Sequence, residues 1–253
     1  MTAAGPRKLV PPLVTFTAIA LVLELVTRAG LIPPYLVPAP SAVVAAVLRD
    51  GGDLAAATWS TAWCALVGLA LAWAAGTAAA VAFSLSSLLR SAFYPYAVLF
   101  QTVPVIAVAP LLVIWCGFGA PTVIASAALV AVFPVIASTM LGLASTDPRL
   151  VDLFGLYGAS RRQRLLGLRI PFALPHMLAG LRIAAGLAVI GAIVGEFIGG
   201  GGLGSLIDAA RTQQRVDTVF AAVLLAALLG FAFVTAINLF ARRLLGSWHA
   251  SEQ

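Results

Sequence analysis

Six apolar stretches run along the chain, at roughly 9–27, 60–85, 97–116, 122–143, 177–198 and 218–240. A bilayer core of about 30 Å takes roughly 20 apolar residues of α-helix. The pattern therefore predicts an all-α membrane protein with six transmembrane helices in a single domain. Between the first two runs lies IPPYLVPAPSAVVAAVLRDGGD. Its prolines forbid a helix until Ser41, which is placed to cap a short amphipathic helix ending near Gly51-Gly52. A short loop at 86–94 carries Arg90, and GFGAP at 117–121 forms a tight turn. The longest polar interruption is DLFGLYGASRRQRLLGLRIPFALP, residues 152–175.

Composition agrees with this pattern. Hydrophobic residues make up 62% of the 253 and charged residues 9%, against about 25% charged in a soluble domain. Too little polar surface is present to clothe a soluble globule. The net charge of +6 comes from basic residues scattered through short loops, which fits membrane orientation better than nucleic acid. With the N-terminus inside, the cytoplasmic side collects Arg7, Lys8, Arg90, Arg149, Arg161, Arg162, Arg164, Arg169, Arg242 and Arg243. The opposite side receives Arg28, Arg49, Arg211 and Arg215. This bias places both termini in the cytoplasm. The run beginning at Leu9 is long for a signal peptide and lacks an A-x-A cleavage site, so an uncleaved first span is expected. Cys64 and Cys116 lie in apolar runs and read as small buried hydrophobes.

Several chemistries are excluded. Lys8 is the only lysine, so no Walker A loop, G-x-x-x-x-G-K-[ST], can be built. His176 and His249 lack metal-ligand spacing. GGGGLG at 199–204 satisfies G-x-G-x-x-G, with Asp217 downstream. A dinucleotide site needs a preceding strand, whereas these glycines follow an apolar helix. They read instead as a hinge or re-entrant segment. Gly191 and Gly195 form a G-x-x-x-G pair suited to close helix packing. Intramembrane charges are Glu24, Arg182 and Glu196. Glu196 is open to a pathway or gating role and equally to a structural hydrogen bond.

The segment around residues 145–175 is locally specified. Thr146-Asp147-Pro148 starts a helix, with a capping side chain and then proline at the first helical position. Leu150, Leu153, Phe154 and Tyr157 follow at helical spacing. Gly158 fits a C-terminal stop, and Ser160 with Gln163 forms a capping box that opens a second, arginine-bearing helix. Pro171 and Pro175 then end the polar region. Such a device can rest on anionic lipid or fit a groove on another protein.

The segment resembles the EAA loop of binding-protein-dependent ABC importer permeases, in which E-A-A, three residues, Gly, nine residues and Ile-x-Leu-Pro follow in order. Asp152-Leu153-Phe154 stands at E-A-A, Gly158 at the glycine, and Leu168-Arg169-Ile170-Pro171 at Ile-x-Leu-Pro. Leu153-Phe154 in place of Ala-Ala is the departure, and it implies a reshaped contact. VPAPSAVV, QTVPVIAVAPLLVIWCGFG and GEFIGGGGLGSLI resemble the subfamily importing nitrate, sulfonates, taurine and pyrimidine vitamin precursors. The resemblance implies a type I ABC importer permease fold in the bacterial cytoplasmic membrane. It implies two permease copies, two cytosolic ATPases that use ATP and magnesium, and an external solute-binding protein. No cofactor and no nucleic acid is implied for this chain itself, and it is no enzyme. Asp152, Leu153, Phe154, Tyr157, Gly158, Arg161, Pro171 and Pro175 would couple to the ATPase, and Gln101, Pro104 and Glu196 would serve the pathway or gate. The alternative is a secondary transporter driven by an ion gradient, against which stands the lack of a central carboxylate in any span.

Overall fold

A computed structural model describes residues 10–245, and among them there are helices and no strands. In chain order these are α1 (Val10–Arg28), α2 (Pro40–Arg49), α3 (Gly51–Leu85), α4 (Ser87–Thr102), α5 (Val105–Cys116), α6 (Ala120–Ala144) and α7 (Pro148–Leu156). A short α8 (Arg161–Arg164) and a π-helical turn (Leu165–Arg169) lead directly into α9 (Ile170–Gly199), followed by α10 (Gly202–Thr212) and α11 (Val216–Leu245). Among the described residues, four helical stretches are long and apolar enough to cross a membrane: Gly51–Leu85, Ala120–Ala144, Arg161–Gly199 and Val216–Leu245. Residues 1–9 and His249 lie outside the described residues.

The centre of the bundle is made of small side chains. Ala65 and Ala72 of α3, Ala127 and Ala131 of α6, and Ala184, Ala188 and Ala192 of α9 are almost wholly buried together. Lipid offers no hydrophobic drive for helices to associate, so close backbone approach must supply the attraction. A Cβ on Gly191 would meet the Ser126 carbonyl oxygen at 2.8 Å, and one on Gly195 the Ser126 Oγ at the same distance. The G-x-x-x-G pair is thus spent on the α9–α6 contact inside the chain. Bulky residues point the other way: Ile114, Trp115, Ile190 and Phe231 are exposed, as lipid or partner subunits permit.

Several boundaries differ from the sequence reading. Ser41 caps nothing; Ala39 is the residue before α2, with Pro40 opening the helix. The Ser41 N–H and hydroxyl instead donate to the Glu24 carboxylate at 3.0 and 2.7 Å, tying α2 to α1. Gly51-Gly52 do not stop α2; they begin α3, which starts well before residue 60. The expected loop at 86–94 is a single extended residue, Ser86, whose Oγ accepts the Leu89 N–H at 3.3 Å and so starts α4, with Arg90 inside the helix. The run at 97–116 is split between α4 and α5. Pro104 has no N–H to give and disfavours helical backbone at Val103, so the helix restarts only at Val105. Cys64 is buried as expected, but Cys116 is exposed.

Candidate functional site

The loop between α6 and α9 is held by local hydrogen bonds that the sequence spells out. The Asp147 carboxylate accepts the Arg149 N–H at 2.9 Å and Pro148 occupies the first turn of α7. At the other end Gly158 takes φ +70°. Its N–H reaches the Gly155 carbonyl at 3.0 Å, and the Ala159 N–H reaches that of Phe154 at 2.9 Å. These two bonds are the Schellman arrangement, which a side chain at the left-handed position would strain. Ser160 and Gln163 complete a capping box, the Ser160 N–H donating to Gln163 Oε1 at 2.8 Å and the Gln163 N–H to Ser160 Oγ at 3.3 Å.

The face expected to be uniformly apolar divides in two. Leu150 and Phe154 are half-buried, and the Phe154 ring lies against Gly167. Leu153, Leu156 and Tyr157 are turned outward, Tyr157 being 84% exposed. Asp152 and Arg161 are exposed beside them. Leu153, Phe154, Tyr157, Gly158, Arg162 and Leu166 rim an open hollow of about 940 Å³. Pro171 and Pro175 do not break the chain, which stays helical from Arg161 to Gly199. A proline ring clashes with the carbonyl four residues back. The wider π-helical turn at Leu165–Arg169 removes the ordinary bond that Pro171 could not make.

Of the candidate pathway residues, Gln101 and Pro104 flank the break between α4 and α5 and are exposed. Gln101 lines a hollow of about 300 Å³ with Val103, Phe133 and Leu187. Glu196 is not with them. It is 1% exposed and lies nine residues beyond Leu187, about 13 Å along α9. Its Oε2 accepts the Gly204 N–H at 2.7 Å in the first turn of α10, where a helix presents free donors and favours an acid. Gly200, Gly201 and Gly202 all have positive φ, so the glycine run is a hinge that folds α10 back onto the end of α9. The Thr61 hydroxyl of α3 accepts the Leu203 N–H at 2.9 Å, completing the seat.

One cluster had no local signature. At the end of the bundle away from α7, Asp50 accepts from Arg49 at 3.1 Å, from the Thr218 hydroxyl at 3.0 Å and from Arg215. Arg49 also reaches Asp217 at 2.9 Å. The guanidinium groups of Arg49 and Arg215 hold the Asp50 carboxyl well below the ordinary carboxylate range. Asp50 and Arg215 are 165 residues apart, so no spacing rule could have joined them.

The chain thus combines membrane-length helices packed through glycine and alanine, a helix interrupted at Pro104 and a capped, outward-facing α7. The chain belongs to the binding-protein-dependent transport system inner membrane components, whose family model matches residues 68–246. It is 36% identical over 219 residues to a probable ABC transporter permease protein of Haemophilus influenzae, covering 86% of this chain and 89% of that one. It is 38% identical over 208 residues to the formylaminopyrimidine transport permease protein ThiX of Halalkalibacterium halodurans, covering 81% and 83%. The fold is similar to that of a chain of the MetNI methionine ABC transporter in an inward-facing conformation, with TM-score 0.67 and 16% identity over 75% of this chain and 95% of that one. The protein is therefore the transmembrane permease subunit of an ATP-driven ABC importer, forming the route for a small solute that an external binding protein delivers. It is an inner-membrane component and a transport subunit, not an enzyme.

Proposed function

We propose that two copies of this chain form the translocation pathway, with α7 of each docked into a cytosolic ATPase that consumes ATP and magnesium. The observation that carries the proposal is the pairing of rigidity with exposure in α7. Its two ends are closed by side-chain and backbone caps, yet Leu153, Leu156 and Tyr157 stay exposed among the described residues. A capped helix transmits displacement better than a flexible loop, and here the helical stretch from Arg161 to Gly199 leads from the Gly158 turn after α7 into the core. Asp152, Gly158 and Arg161 lie at the rim of the proposed contact; Pro171 and Pro175 would set how α9 leaves it. Because α7 is to meet a cytosolic partner, the end bearing Arg90, Arg149, Arg161, Arg162, Arg164 and Arg169 faces the cytoplasm, in keeping with the positive-inside rule. Both termini then lie on that side.

For the solute we propose a small, flat, uncharged nitrogen heterocycle of the pyrimidine-precursor class, ahead of nitrate, sulfonates or taurine. The hollow at Gln101 is lined by an amide, an aromatic ring and aliphatic side chains with no charged group. A bare anion would be poorly solvated there, whereas a heterocycle can stack on Phe133 and bond to Gln101. The relative named for formylaminopyrimidine transport supports the same choice.

The test is reconstitution in proteoliposomes with the partner ATPase and binding protein. ATP on the α7 side should drive uptake of labelled formylaminopyrimidine, with excess nitrate or taurine failing to compete. Uptake that follows a proton or sodium gradient without any ATPase would overturn the mechanism.

A further inference from the structure

Arginines at the two ends of the bundle are treated differently. At the end bearing α2 and α10, each has a carboxylate: Arg28 pairs with Glu24, Arg49 with Asp50 and Asp217, Arg211 with Asp208, and Arg215 with Asp50. At the α7 end, Arg161, Arg164 and Arg169 have no acidic partner among the described residues, although they converge with Ser84 on one hollow of about 240 Å³. The Arg164 Nε is buried and has no hydrogen-bond acceptor among the described residues. A buried donor on a permanent cation is costly to leave unmet.

The local backbone explains the convergence. Arg161 and Arg164, three apart, share a face of α8. In an α-helix Arg169 would lie about 140° round from Arg164. The π-helical turn intervenes, with the Ile170 N–H bonded to the Leu165 carbonyl, so that the bonded neighbour one turn on is the fifth residue instead of the fourth. Arg169 is thereby returned to the face of the other two. The turn that accommodates Pro171 also assembles the basic chamber.

Arg169 and Ser84 line a second, adjoining hollow of about 640 Å³, walled by Phe83, Met140 and Leu141 and bearing Arg90. A cationic chamber thus adjoins a trough that has an apolar wall of Phe83, Met140, Leu141 and Leu143 and also carries Ser87, Arg90, Tyr94 and Thr146. We propose that this is a binding site for an anionic phospholipid of the surrounding leaflet. Its phosphate lies on Arg161, Arg164 and Arg169, and an acyl chain follows the trough. A free phosphate would satisfy the chamber but leave the trough unused, and basic pockets between transmembrane helices suit acidic headgroups. The bound lipid would brace α3 against the start of α9. The orientation rests on the function proposed above.

The test is native mass spectrometry of the full-length protein, equilibrated with phosphatidylglycerol, phosphatidylcholine or inorganic phosphate, with ATPase capture measured on the same samples. Retention of phosphatidylglycerol should exceed that of phosphatidylcholine by about tenfold or more, and fall by a similar factor in R164Q/R169Q. R164K/R169K should keep much of the binding, and R242Q/R243Q, which alters charge elsewhere, should keep all of it. Equal retention of the two lipids, or unchanged retention in R164Q/R169Q, would overturn the site. So would displacement of the lipid by millimolar inorganic phosphate, which would mark a soluble anion site instead. Absence of lipid selectivity in the wild-type protein, with its ATPase capture intact, sinks this proposal alone. Failure of the wild-type protein to capture the ATPase sinks the docking of α7 and leaves the lipid measurement readable.

Discussion

Glu196 Oε2 accepts the backbone N–H of Gly204 at 2.7 Å, so the last turn of one helix caps the first turn of the next across a glycine hinge. Removing the carboxylate strands that buried N–H. Glu196→Ala should cost about 1–3 kcal/mol, seen as a lower Tm in detergent, and Glu196→Gln, which keeps an acceptor, should cost less. Equal melting of all three proteins would show that the bond does not hold α10.

The contact between α9 and α6 sets a steric test. A Cβ on Gly191 would press on the Ser126 carbonyl at 2.8 Å and the Ala127 Cα at 2.9 Å, both backbone atoms that cannot swing aside. Gly230 of α11 has nothing within 4 Å of such a Cβ. Gly191→Ala should therefore destabilise by about 1–3 kcal/mol through overpacking. Gly230→Ala should be neutral or stabilising by up to about 1 kcal/mol through helix propensity. Thermal melts of the pair, run side by side, decide it; a reversed order would refute the α6–α9 packing.

Docking of α7 predicts a separation of stability from coupling. Tyr157 is 84% exposed, so Tyr157→Ala should leave Tm unchanged. If Tyr157 is an anchor in the ATPase cleft, its loss should weaken capture by about 2 kcal/mol or more, near thirtyfold. Titration of the purified ATPase against both proteins measures this. Unchanged affinity would move the docking face elsewhere.

The Asp50 cluster predicts a pH response of known sign. A carboxyl held below its ordinary value near 3.8 by Arg49 and Arg215 contributes stability above that value and loses it as pH falls through the depressed folded-state value. The wild-type Tm should show no step from this group between about pH 8 and pH 5, and a decline only under stronger acid. Asp50→Asn should melt lower at neutral pH and lack that part of the acid decline. Fluorescence of Trp59 and Trp63 on α3 offers a local readout. An acid response unchanged by Asp50→Asn would show that other carboxyls carry it.

Much of the segment at 145–175 was legible because its bonds are short in sequence. Asp147 bonds two residues ahead, Ser160 and Gln163 bond each other, and Gly158 closes onto Gly155. Each pairing is set by local backbone geometry, so residue type and spacing predict it. The membrane class was legible for a similar reason, since composition alone denies the chain a soluble surface. The π-helical turn was not. Two prolines suggested a break, but whether a proline breaks or is absorbed depends on how neighbouring helices hold the chain.

The sequence by itself therefore determined the class, the family, the caps of the segment at 145–175 and the close packing of Gly191 and Gly195. Tertiary structure decided which helix each glycine touches, why Glu196 is a helix cap inside the protein, and how Asp50 finds Arg215. It also gathered Arg161, Arg164 and Arg169 into one chamber. The physical reason is that lipid-facing and core-facing positions are both apolar, so hydrophobic periodicity no longer says which way a helix points. Only the shapes of the packed faces settle that, and those exist once the helices have met.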